Sequence, residues 1–149
     1  MKAQRIVVGY DGSANARKAL DAAIDHIGEG GTIHVVTAQR EGSELELARI
    51  MAQLPEEFHG AFDTTATPRG YLRDAEMMLD RRGVAHVGHF VDDRPASAIL
   101  DIADEVDADL IVVGSRGLGP VGRFVHGSVS SRVANHATTS IMIVRADET

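Results

Sequence analysis

The residues best suited to chemistry lie in one segment, GSRGLGPVGRFVHGSVSSRV, positions 114–133. It carries Gly114, Gly117, Gly119 and Gly122 in a short stretch, then Gly127-Ser128 at the expected start of a helix. Glycine lets a backbone approach a ligand closely and adopt positive φ. Successive main-chain N–H groups can then form an anion-binding concavity. A helix start adds unpaired N–H donors and the positive end of its dipole, and Ser128 adds a hydroxyl. Arg116 or Arg123 can supply formal charge. A plain Gly-rich connector would account for the glycines, but not for their position between a buried strand and a helix. The chemistry implied is the holding of phosphate.

Charge is distributed to match. The chain has a formal net charge of -7, yet positions 110–146 hold four arginines (Arg116, Arg123, Arg132, Arg145) and no acid. Positions 92–109 hold seven acids and the single base Arg94. A segment kept free of acids spares a place for an anion. Other phosphate motifs fail. Lysine occurs only at Lys2 and Lys18, so a Walker-type GxxxxGK[ST] clamp is absent. Gly117-Leu118-Gly119-Pro120-Val121-Gly122 fits GxGxxG, but no ribose-binding acid follows about 20 residues on. There is no GxSxG elbow for a serine nucleophile.

The elements that must position this segment alternate between strand and helix. β-Branched runs predict strands over 5–9, 32–38, 84–91, 109–113 and 141–144. Ser13 is placed to cap a helix with apolar positions at Ala16, Leu20, Ala23, Ile24 and Ile27, stopped by Gly28 and Gly30-Gly31. Thr67-Pro68 opens a helix ending near Gly83, Asp93 caps a third, and 128–136 forms a short fourth. Positions 44–54 look helical and 60–68 read as loop. This order predicts one α/β domain over 1–149: an open, mainly parallel five-stranded sheet with helices on both faces. Right-handed crossovers restrict its winding, and the mononucleotide-binding solution has the strand order 3-2-1-4-5. Ligands bind such sheets beyond the carboxyl ends of the strands, where the winding reverses. Asp11-Gly12-Ser13 and the segment from Gly114 would meet there, although Asp-Gly-Ser is also an ordinary turn.

The spacing Gly114-x2-Gly117-x9-Gly127-Ser128 resembles the G-x2-G-x9-G-[ST] motif of the universal stress protein family, in its ATP-binding branch. IVVGYDGSANARKAL is similar to that family's first strand and helix, and GSVSSRVANHATTSIMIV to its last third. The resemblance implies a Rossmann-like fold of the adenine nucleotide alpha hydrolase kind, binding ATP, or ADP or AMP, with Mg²⁺ an open option. It implies that Asp11 lies near the adenosine and Ala38 along the adenine. Gly114, Arg116, Gly117, Gly127, Ser128 and Val129 would surround the phosphates. It also implies a homodimer through the last strand, whose apolar edge invites pairing. Asp92-Asp93 occupy a region where the family often has glycine, and are expected to serve the helix start.

The remaining chemistry is sparse. No cysteine is present, which excludes disulfides and thiol chemistry. His86 and His89 are three apart on a strand and point to opposite faces, so they cannot share an ion, and no metal site is expected. His126 is expected in a surface or packing role, His136 at a helix end beside the negative terminus of the dipole, and Met77-Met78-Leu79 in the core. The acidic balance argues against nucleic acid and membrane surfaces, and no run of 18 apolar residues exists. The cytoplasm is the expected location. The segment supplies no carboxylate base and no catalytic residue is assigned, so a binding or switch module with slow hydrolysis at most is expected. Two alternatives stay open: a nucleotide-free partner-binding domain of the same fold, and an adenylyl-transferring enzyme, whose HxGH and KMSKS motifs are absent. A protein partner, unidentified by the sequence, is expected beside the nucleotide.

Overall fold

The computed structural model describes residues 2–39, 49, 52–53, 55, 67–115 and 128–145. In order these form β1 (Ala3–Gly9), α1 (Ala14–His26), β2 (Ile27–Ala38), α2 (Pro68–Arg81) and β3 (His86–Val91). There follow α3 (Pro95–Glu105), β4 (Leu110–Gly114), α4 (Ser128–His136) and β5 (Ile141–Val144). The sheet has the order β3-β2-β1-β4-β5, with every pairing parallel. Ile6, Val8, Ile33 and Val35 face one apolar layer with Leu20, Ala23, Ala75 and Leu79 of α1 and α2. Val7, Val36, Ile111 and Val113 face the other, with Ile99, Ile102 and Val133 of α3 and α4. Helices on both faces explain why the central strands are continuously apolar rather than alternating. Most of the expected helix over 44–54, and positions 60–66 of the expected loop over 60–68, lie outside the described residues, while Thr67 and Pro68 form the start of α2.

Local chemistry sets the element ends. Ser13 accepts the Ala16 N–H at 3.1 Å and Thr67 accepts the Gly70 N–H at 3.0 Å, so both expected caps form. β2 begins at Ile27 rather than at position 32. Its pairing skips from Ala3–Ile27 to Arg5–Thr32, and Gly30, with φ 78°, takes up the excess chain. The glycines that read as a helix stop therefore form an irregularity inside a strand. β3 starts at His86 rather than at 84, because Val84 belongs to the end of α2. Its N–H donates to Leu79 O at 3.0 Å and that of Gly83 to Asp80 O at 3.1 Å, with Gly83 left-handed at φ 69°.

Two further expectations are corrected. Asp93 is not the cap of α3: Arg94 occupies that place without a side-chain cap, and the Asp93 carboxylate accepts the Arg94 N–H at 2.7 Å. Pro95 starts the helix, which needs no N–H there. Met77 is 45% exposed, so only Leu79 and part of Met78 join the core.

Candidate functional site

The sheet opens where its winding reverses. β1 pairs with β4 only from Ile6–Leu110 to Val8–Val112. Beyond that, each strand leans on its other neighbour: β1 stays on β2 to Gly9–Val36, and β4 on β5 to Gly114–Val144. The Tyr10 N–H donates to Val36 O and the Thr37 hydroxyl to Tyr10 O, at 2.9 and 2.8 Å. On the far side the Ser115 N–H donates to Val144 O at 2.9 Å. The two chain ends are held apart, and a cavity of about 240 Å³ lies between them.

The structure brings four of the expected site residues together. Asp11, Ala38, Gly114 and Val129 line the same cavity, although Asp11 and Val129 are far apart in the chain. The Asp11 carboxylate accepts the Ser13 N–H at 3.0 Å, which shapes the turn into α1. Among the described lining residues it is the one charged side chain. Ser128 is the first residue of α4, and Val129 and Ser130 bring that helix start to the cavity wall. Arg116, Gly117 and Gly127 lie outside the described residues, as do Arg123 and His126. Asp92 and Asp93 do not line the cavity; Pro95 and Ile99 do.

Gly114 has a packing reason to be glycine. A Cβ there would fall 2.7 Å from the backbone carbon and oxygen of Asn15, in the first turn of α1. Its missing side chain is what lets α1 start against β4.

Sequence reasoning missed Pro68, Tyr71, Ile99, Ser115 and Ser130 among the lining residues. Helices of a parallel sheet start at the carboxyl edge, so the first two turns of α2 and α3 are a signal for Pro68, Tyr71, Pro95 and Ile99. Ser115 carries no comparable signal. It is fully buried, and its hydroxyl is, among the described residues, the buried side-chain polar atom with no hydrogen-bond partner. Burial pushes the Tyr10 phenol above its ordinary value, partly opposed by its hydrogen bond with Arg17.

Away from the cavity, His86 and His89 lie on opposite faces, paired in register with Ile33 and Val36. His89 meets instead a residue 55 positions away: its Nε2 is 3.0 Å from His34 Nδ1, with ring centroids 5.2 Å apart. Burial depresses both histidines, and for His34 the neighbouring His89 and Arg5 of β1 add to the effect. Glu105 of α3 opposes it at His89. A histidine depressed on folding stabilises the native state above its ordinary value of 6.5, and that contribution is lost as pH falls through the depressed value. Urea midpoints compared between pH 7.5 and 5.5 should thus fall more in the native protein than in His34→Gln. Equal falls would contradict the pairing.

The geometry has counterparts among known proteins. A solved universal stress protein from Archaeoglobus fulgidus superposes with a TM-score of 0.73 at 26% identity, covering 95% of this chain and 98% of that one. Another solved universal stress protein, in complex with cAMP, is 27% identical with a TM-score of 0.69, over 99% of this chain and all of its own. A universal stress protein of Thermus aquaticus is 31% identical, covering 94% of this chain and 97% of the relative. The model of the universal stress protein family matches residues 2–145, and the chain belongs to that family.

Proposed function

We propose that the cavity between β1 and β4 binds an adenine nucleotide, and that the protein acts as a binding or switch module in a stress response. The observation that carries this reading is the start of α4 in the cavity wall. A helix start offers N–H donors and a positive dipole end to an anion, here beside a strand end held away from its neighbour. A cAMP-bound relative of nearly the same length supports the choice of an adenine ligand. The phosphates are assigned to Gly114, Gly117, Gly127, Ser128 and Val129 with Arg116 as counter-charge, the adenosine to Asp11 and Ala38. ATP, ADP and AMP all suit this division, with Mg²⁺ accompanying the triphosphate.

Slow hydrolysis at most is assigned. Efficient phosphoryl transfer needs a positioned base and metal ions. Asp11 is the one carboxylate among the described lining residues, and one of its oxygens is engaged by Ser13. β5, at the sheet edge, is assigned as the contact of a homodimer, since an open apolar edge favours pairing. The cytoplasm remains the proposed location; among the described residues no helix is long and apolar enough to cross a membrane. Titration of nucleotide-free protein with ATP, ADP and AMP tests the reading. Saturable binding is expected, and the absence of binding by all three overturns it.

A further inference from the structure

Tyr71 is a partly buried aromatic residue that the phosphate chemistry leaves unused. It lies one turn into α2, whose start is fixed by the Thr67 cap and by Pro68 in the first turn. Its ring rests against the turn that follows β1. A Cβ built on Gly12 would come within 2.6 to 2.9 Å of three ring atoms. Gly12 has φ 79°, a conformation that glycine adopts without strain. The ring can therefore approach the backbone beside Asp11 and stay in the cavity wall, together with Asp11 and Ala38. Tyr71 also packs against the core shared by α1, α2 and the sheet, which anchors it.

The cavity thus has two chemically different sides. α2 packs over β2 and β3 and contributes Pro68 and Tyr71, whereas α4 delivers its start beyond β4. An anion suits the helix start, and a flat π-system suits an aromatic wall. Resting on the nucleotide reading above, we infer that Tyr71 is the stacking wall for the base and favours purines through its contact area. Base–aromatic stacking removed by substitution typically costs about tenfold or more in affinity.

The composition supplies the probe. The chain has two tyrosines and no tryptophan, and Tyr10 is only 4% exposed, so a base on Tyr71 should report itself in tyrosine fluorescence. The full-length protein is titrated with ATP and with inorganic tripolyphosphate, following fluorescence and heat. ATP is expected to quench wild type, and Tyr71→Phe to bind ATP within about twofold of wild type while losing the quench. Tyr71→Leu, which keeps an apolar cover over Gly12, is expected to weaken ATP about tenfold and to leave tripolyphosphate affinity unchanged. If ATP binds wild type without quenching, or binds Tyr71→Leu as tightly as wild type, the stacking role is overturned and the nucleotide site stands. Equal losses for ATP and tripolyphosphate would make Tyr71 merely structural and also overturn it. If ATP does not bind wild type at all, the nucleotide reading fails first and this inference with it.

Discussion

The Gly127→Val variant is expected to lose measurable ATP binding while keeping its melting temperature and circular dichroism. Gly127 immediately precedes α4, whose first residues reach the cavity wall. Anion binding by a helix start brings the ligand within about 3 Å of main-chain N–H groups, and a branched side chain at the position before it is expected to crowd that approach. Loss of several charge-assisted hydrogen bonds, each worth about 1.5–3 kcal/mol, is enough to remove binding in a calorimeter. Ser128→Ala, which deletes one hydroxyl, should cost about 1–3 kcal/mol. A Gly127→Val protein that binds ATP like wild type would remove α4 from the site.

Gly114→Val should behave differently, losing stability as well as ligand. Its Cβ would lie 2.7 Å from backbone atoms of Asn15, and backbone cannot rotate aside as a side chain can. Relief requires α1 to move away from β4, where Leu20 and Ala23 are fully buried. Overpacking of this kind costs about 1–3 kcal/mol. At the upper end that lowers the melting temperature by about 6–12 °C for a chain of this size. An unchanged melting temperature would mean that α1 does not depend on this glycine. The two variants together separate a glycine needed for packing from one assigned to the ligand.

That distinction shows which parts of the molecule local sequence makes legible. Strand and helix types are written in β-branched runs and in the caps Ser13 and Thr67, and their alternation dictates a parallel sheet. Right-handed crossovers narrow the possible strand orders without fixing one, and 3-2-1-4-5 is the mononucleotide-binding solution among them. Features decided by register are hidden. Gly28 and Gly30-Gly31 suit a helix stop and a strand irregularity equally, since both exploit the same conformational freedom. Val84 belongs to a strand by propensity and to a helix end by its hydrogen bond to Leu79. His34 and His89 become neighbours only once β2 and β3 are aligned. At the site, Asp11, Ala38, Gly114 and Val129 come together because a sheet's carboxyl edge collects strand ends and the helix start beyond β4. Tyr71 enters from the first turn of a helix on the far side of a long connection, and its contact with Gly12 is visible only in three dimensions.

The central claim is that an adenine nucleotide lies between β1 and β4 with its phosphates at the start of α4. Amide NMR of the nucleotide-free protein during addition of ATP, up to about 1 mM, tests it most directly, because an interaction of about 4 kcal/mol already registers there. The account predicts saturable shifts of the Val129 and Ser130 amides at the phosphate end, and of the Asp11 and Ala38 amides at the adenosine end. No shifts at that concentration, or shifts confined to residues away from the cavity, would contradict it.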